Sequence, residues 1–361
     1  MTGSRLLGLL IVPLMVLNSC RDSSGDNWPS EESFTFESGQ QVIPLHAGIV
    51  ECSRDYLYAS KFFVYADSVM VVVNSPRENR PIVELADLRS GTLLAQTLMY
   101  GNGPFEALQA KPHMRGRFLF VEDFARQRLL RVDIHAMLVA PSDYLPEVIG
   151  EYNGLYPTFA TQLDDHTMLL ENPYCFDDKT TGISNGPEDR FFFLKPGREK
   201  QLYQNERRYD TYNVSQGILV PFVESDRIFF LSLNLPQIEV YNGSGGKIKK
   251  LYGPTDLPVE YSQRDGSVYF RGQIPYGYLS ATSFGGRLYA NYIGGYFKKD
   301  EDYTKLHGSI LELDMNGNLI RTFVSPVYIS SFSVTSSGDI YGQGFDESYT
   351  HVLWKLSTQD E

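Results

Sequence analysis

The stretch Met99–Leu108, MYGNGPFEAL, sets Gly101, Gly103 and Pro104 beside the carboxylate of Glu106. Glycine amides at a helix start can cradle a phosphate, but that chemistry needs a strand, a loop of G-K-[ST] or G-x-G-x-x-G spacing and a helix behind it. Neither spacing is present, and Pro112 and Gly116 follow closely, so the stretch reads as a turn with Glu106 as a loop anchor. A serine nucleophile would call for G-x-S-x-G at a strand-to-helix turn; the one match, Gly182–Gly186, falls in the long polar interruption YCFDDKTTGISNGPEDR (Tyr174–Arg190), without that setting. The histidines (His46, His113, His135, His166, His307 and His351) are scattered, with none paired at a metal-ligand spacing. The segment Arg271–Tyr303 is different, because it sets tyrosines among glycines. Tyr276, Tyr278, Tyr292 and Tyr296 are candidate ligand-binding residues, since tyrosine joins apolar area to a hydroxyl at low entropy cost and so suits glycans and peptides.

Charge narrows the partners. Lysine and arginine number 32 against 44 acidic residues, a formal net charge of −12. The densest basic patch, Gly245–Gly253 with Lys247, Lys249 and Lys250, reads as a solvated hairpin. A nucleic-acid partner is therefore not expected. Cys52 and Cys175 are too sparse for a disulfide framework and read as buried thiols, and without a C-x-x-C pair a zinc site is not expected.

The first twenty residues carry an address. Arg5 precedes an apolar run from Leu6 to Leu17, too short for a comfortable membrane span and suited to the core of an export signal. It ends in Leu17-Asn18-Ser19-Cys20, which resembles a bacterial lipobox. Residues 1–19 are expected to be a lipoprotein signal peptide, Cys20 the lipidated residue and 20–38 a flexible polar tether.

The elements that must position any site are strands. The 24 tyrosines and 22 phenylalanines favour β-structure, and beyond the tether no helical period is sustained. Three units repeat a strand, an Asp or Asn turn with glycine, a second strand and Gly/Pro punctuation: Pro81–Pro104, Pro236–Pro254 and Gly308–Pro326. Gln127–Val139 is a degenerate fourth. Asn316-Gly317 marks the tightest hairpin. Each unit follows another strand pair, so four strands recur about every 45–55 residues, the signature of a β-propeller.

The expected fold is all-β, a six-bladed β-propeller of four-stranded antiparallel blades over residues 39–358. The blades are placed at about 57–108, 112–163, 164–212, 215–262, 278–326 and 328–356. The last blade is one strand short, and a strand within Glu32–Gly48 is expected to close the ring. On the axis of such a ring Glu51, Glu171, Glu224, Asn234 and Asn291 could offer oxygen ligands to Ca²⁺. The preferred reading is a solvated channel lining, with no metal and no other cofactor.

The lipobox, DLRSGTLL…YGNGPFE, FLFVEDFARQRLLRVDI and ILELDMNGNLIRTF…ISSFSVTSSGDIYG together resemble the TolB-like six-bladed propeller lipoproteins of Bacteroidetes, relatives of the NHL-type propellers. The resemblance covers most of residues 57–345 and implies an exported propeller without a transferable catalytic motif. Phe105 stands where that family often has a small residue. The functional expectation is a non-enzymatic binding or scaffolding module, lipid-anchored in the bacterial cell envelope, at the outer membrane, with a protein or glycan ligand. The alternative is a lactonase- or esterase-type hydrolase with its site in the central channel.

Overall fold

The computed structural model describes residues 30–39, 41–50, 59–152, 157–178, 183–184, 190–195, 210–298 and 302–358. The chain is a six-bladed β-propeller. Its blades start from the inner strands Ala59–Tyr65, Lys111–Arg115, Ala160–Asp164, Gly217–Phe222, Tyr278–Phe284 and Ser331–Val334, which line the axis. Each blade then meanders outward through antiparallel pairs. Among the described residues the third blade has three strands, ending with Phe191–Leu194. A separate hairpin, Tyr261–Arg264 with Ser267–Phe270, follows the fourth blade in sequence and bridges through Ser267 to Asp210.

The second strand of a blade is flanked by neighbours on both sides, so it must be apolar on both faces. Val69–Asn74 shows this, since all six residues are buried. Val71 and Val73 join Leu85, Leu119, Val121 and Leu130 in the core between the first two blades. Met70 and Val72 turn the other way and meet Leu353 of the sixth. Four further clusters fill the remaining clefts, so each of the six blade junctions has its own apolar core.

Asx-capped turns set the blade pattern. Asp87, Asn242 and Asp314 each accept a backbone N–H through Oδ1, from Ser90 (2.7 Å), Ser244 (3.1 Å) and Asn316 (2.8 Å). The positive φ that reverses the chain falls on Gly317 (79°), and the adjoining ladder slips at Glu312/Leu313. This is a type I turn with a bulge, a longer loop than the two-residue turn that Asn316-Gly317 suggests. In the degenerate unit the strand Arg128–Asp133 leads into the short helix Ile134–Val139, with Asp133 capping through the Ala136 N–H at 3.1 Å.

The second and third blades divide earlier than their sequence spacing suggests. The run expected to close the second blade at 163 is the inner strand of the third. Asp164 accepts the His166 N–H at 2.8 Å and turns Ala160–Asp164 back onto Thr167–Glu171, which keeps both halves in one hairpin.

The ring closes on the N-terminal side of the chain. His46–Ile49 pairs antiparallel with the sixth blade's last strand, as the missing strand requires. The same segment does more. Ser30–Ser33 and Gln41–Pro44 run parallel to the outer strands of the fourth and fifth blades, so one strap covers three sheet edges. Ser30–Ser38, the end of the stretch expected as a tether, carries the first of these strands and a short 3-10 turn. Leu45 (5% exposed) sits in the core between the fifth and sixth blades, whereas Val42 (52% exposed) points outward. Leu45→Ala is therefore expected to cost about 2–5 kcal/mol in chemical denaturation, and Val42→Ala less than about 0.5 kcal/mol. Equal effects would mean that the strap does not seal the ring.

Candidate ligand site between the third and fourth blades

The cleft between the third and fourth blades carries a charged cluster beside its apolar core. On the third blade Leu169 faces the fourth, so the strand alternation turns Glu171 the same way. Arg190 sits immediately before the third strand of that blade. From the fourth blade come Glu239 and Tyr241, two residues apart on one face of Gln237–Asn242, and Lys247 from the outer strand.

Arg190 is the hub. Its Nε lies 3.4 Å from Glu239 Oε2 and its Nη1 3.6 Å from Glu171 Oε1. Its guanidinium lies over the Phe230 ring, 4.1 Å from the centroid. Glu239 is better served. Lys247 Nζ and Gln237 Nε2 each donate to its Oε1 at 2.9 Å, and the Tyr241 hydroxyl donates to Oε2. Burial disfavours both carboxylates, but the outcomes differ. Arg190 and Lys247 overcome it at Glu239 and hold that carboxyl at about 2. At Glu171 burial wins over the longer contact to Arg190 and pushes the carboxyl up to about 8. One arginine thus faces an ionised partner and a protonated one at neutral pH, the kind of divergence found where sites do work.

Beside this cluster opens a cavity of about 1320 Å³. Arg190, Glu239, Lys247 and Phe230 line it together with Cys175 and Ser232. Phe34 and Thr35 of the strap and the loop from Gly253 to Tyr261 complete its walls. Phe176 meets Tyr261 edge-on at 5.2 Å, tying the extra hairpin to the third blade. An apolar wall with a few convergent charges is the usual build of a ligand pocket, and this one exceeds the size of typical small-molecule sites.

The four tyrosines expected to bind ligand are placed elsewhere and do not form one surface. Tyr278 and Tyr292 are buried between the fourth and fifth blades with ring centroids 5.0 Å apart. Their hydroxyls are engaged, Tyr278 donating to the Gly253 carbonyl at 2.9 Å and Tyr292 meeting Thr255 Oγ1. Tyr276 and Tyr296 are half-buried on the loops, Tyr276 against Phe297 and Tyr296 donating to the Pro258 carbonyl at 2.7 Å.

Of the axial oxygen donors, Glu51 lies outside the described residues, as do Cys20 and Cys52. Glu224 sits in an exposed turn and Asn234 in a half-buried loop. Asn291 donates to the Ile329 carbonyl at 2.7 Å as a buried tie between blades. Only Glu171 enters a charged cluster, and among the described residues no group of three or more His, Cys, Asp or Glu could hold a metal ion.

The MYGNGPFEAL loop fills its own cradle. Glu106 Oε2 accepts the Gly103 N–H at 2.6 Å, where an external anion would have to bind. Arg126 donates to the Gly103 carbonyl at 2.6 Å and Arg128 to the Pro104 carbonyl at 3.0 Å. Arg128 is itself held by buried Asp123 at 3.5 Å.

Arg190 and Glu239 carry no sequence signal of their own. They are 49 positions apart (239 − 190), and a glutamate in an alternating strand reads as solvent-facing. The one available hint is repetition, because Glu84 and Glu312 occupy third strands as Glu239 does and all three are buried.

Fold and cleft together define a six-bladed propeller with a charged pocket at one blade junction. No protein-family model matches the chain, and no curated protein matches it in sequence. Among solved structures it is similar to a member of the DUF4221 family from Bacteroides vulgatus, at 11% identity and a TM-score of 0.54, covering 87% of this chain and 96% of that one. It also matches a putative exported protein from Bacteroides fragilis, at 12% identity and a TM-score of 0.49 over 92% of this chain and 100% of that one. At these identities the first likeness shows the fold alone. Among the described residues no helix is long and apolar enough to cross a membrane.

The raised Glu171 carboxyl has a consequence for stability. Folding holds its proton from the ordinary value of 4.5 up to about 8. Its contribution is therefore complete below that lower value and is lost as pH rises through the window. Glu122, pushed up to about 7 by burial, acts in the same direction. Urea midpoints measured from pH 5 to pH 8 (pH values chosen to span roughly this window) should fall for the wild type and fall less steeply for Glu171→Gln. An unchanged slope in the variant would contradict the assignment.

Proposed function

We propose that this protein is a lipid-anchored propeller of the bacterial cell envelope that binds a ligand without transforming it. The observation that carries the binding role is the pocket of about 1320 Å³ between the third and fourth blades. Its aromatic and aliphatic walls supply area, and Arg190, Lys247 and Glu239 supply orientation. Its volume accommodates a short peptide or a few sugar units rather than a single small metabolite. Rigid sheets hold the floor while loops and the strap form the rim, the usual division of labour in a binding scaffold.

The address rests on the first twenty residues, with Arg5, the apolar run Leu6–Leu17 and Cys20 behind Ser19. Kinship to the TolB-like and NHL-type propellers and a place at the outer membrane belong to this same reading. The pocket's wide wall and charged floor favour the binding module over the channel hydrolase.

Two measurements test it. Cys20→Ala expressed in a Gram-negative host should leave the membrane fraction for the soluble envelope fraction, and unchanged membrane association would refute the anchor. Val259, half-buried at the pocket wall, can be enlarged without touching the charged floor. Native mass spectrometry of protein exposed to envelope peptides and glycans should show retained ligand in the wild type and loss in Val259→Trp. No retained ligand, or equal retention in both, would overturn the pocket.

A further inference from the structure

Glu239 and Arg190 meet in the pocket floor on unequal terms. Glu239 already takes three donors, Lys247 Nζ and Gln237 Nε2 on Oε1 at 2.9 Å and the Tyr241 hydroxyl on Oε2. Arg190 is served poorly. Its Nε lies 3.4 Å from Glu239 and its Nη1 3.6 Å from Glu171, both longer than the roughly 2.7–2.9 Å of a charge-assisted hydrogen bond. Nε is buried without a hydrogen-bond partner. The one hydrogen bond that the guanidinium makes to a described residue runs 3.5 Å from Nη1 to the Ser215 carbonyl. Yet the side chain is only 9% exposed, and it lines the pocket. A recessed guanidinium has five fixed donors, and leaving them unmatched is costly unless an acceptor comes from outside the chain.

The charges around it are mostly of one sign. In the strand register Lys250 stands opposite Glu239 and Lys247 opposite Tyr241, so both lysines share the face that carries Glu239. Arg190, Lys247 and Lys250 all line the pocket, with Glu239 as the ionised carboxylate among them. Lys250 lies over the Tyr252 ring, 4.9 Å from its centroid, and forms no ion pair with a described residue. Burial keeps the other two acids near Arg190 uncharged at physiological pH, pushing the Glu171 carboxyl up to about 8 and raising the Cys175 thiol. The remaining carboxylates of the walls, Glu31, Asp256 and Glu260, are exposed at the rim, where solvent and salt screen them.

We propose that the pocket floor is a carboxylate-binding site, in which the Arg190 guanidinium receives a carboxylate of the ligand and Lys247 and Lys250 add to the attraction. The inference rests on the pocket being the ligand site and adds the class of ligand, an acidic one whose carboxylate comes from a peptide or from a uronic acid sugar. The Phe230 ring lies against the guanidinium, 4.1 Å from its centroid, and fixes the plane in which the donors point, as two-point recognition of a planar carboxylate requires. Phe34, Phe176, Tyr252 and Tyr261 offer apolar area to the rest of the ligand. A ligand ammonium has no comparable place, because Glu239 is already filled and stands among cations.

The test is isothermal titration calorimetry at low ionic strength with two acidic probes, an acetylated triglutamate peptide and trigalacturonate. Their uncharged counterparts, the triglutamine amide and the methyl-esterified sugar, are the controls. At least one acidic probe should bind saturably and about tenfold or more tighter than its counterpart, the usual scale for one charge-assisted contact. Which probe binds tells peptide from sugar. This comparison needs only the wild type, so it stands even where a variant fails to fold. Arg190→Lys keeps the charge but loses the fork and should weaken binding about tenfold. Arg264→Gln removes a surface charge whose side chain is 84% exposed and should leave binding unchanged. Binding of neither acidic probe, affinity equal to that of the uncharged counterparts, or undiminished affinity in Arg190→Lys would overturn the carboxylate site. Retention of an envelope ligand that is lost in Val259→Trp would still support the pocket in that case. Acidic probes bound equally by wild type and Val259→Trp would overturn the pocket as the place of binding.

Discussion

Every blade in this protein has two apolar faces, and that constraint governs the rest. A lone sheet such as the first blade, with Val71 and Val73 on one side and Met70 and Val72 on the other, has no stable place in water. Each face needs a neighbour, the neighbour has the same need, and only a closed ring satisfies all six at once. Closure therefore matters more than any single strand. It is supplied by the His46–Ile49 pairing, reinforced where the strap lays Ser30–Ser33 and Gln41–Pro44 along the next two edges. Because the strap is polar and exposed at Ser30–Ser33, its first part acts through backbone hydrogen bonds, and its sealing role begins near Leu45.

Once the junctions are filled, their differences become informative. Five junctions are closed chiefly by aliphatic and aromatic contacts. The junction between the third and fourth blades adds a buried arginine between two carboxyls. Burying such a group is expensive, and replacing it with apolar residues would often be neutral or stabilising. The cluster lines one wall of the pocket. The contrast between Glu239 and Glu171 follows from geometry, since a carboxylate with three close donors ionises and one with a single long contact does not.

The fold was largely legible. The Asp and Asn turns around Asp87, Asn242 and Asp314 punctuate the chain at intervals that count the blades, and alternating runs name the strands. The third blade was harder, because Asp164-Asp165-His166-Thr167 looks like a break between blades and is a hairpin within one. The site was much less legible. Tyrosines among glycines look like a binding surface, yet Tyr278 and Tyr292 are core, since large rings fill the gap between twisted sheets. Glu171 stood out beside an apolar run, but its partners are distant in sequence.

By itself, the sequence determined the class of fold, the need for an N-terminal strand to close it and the role of Glu106 as a loop anchor. These rest on local physics, namely strand alternation, turn chemistry and glycine conformation, which act over a few residues and repeat with each blade. The tertiary structure decided which polar groups meet. Arg190 and Glu239 are neighbours only because the ring brings separate blades to one junction. The protonation of Glu171 and Glu239 is set by burial and by charges that no sequence window contains.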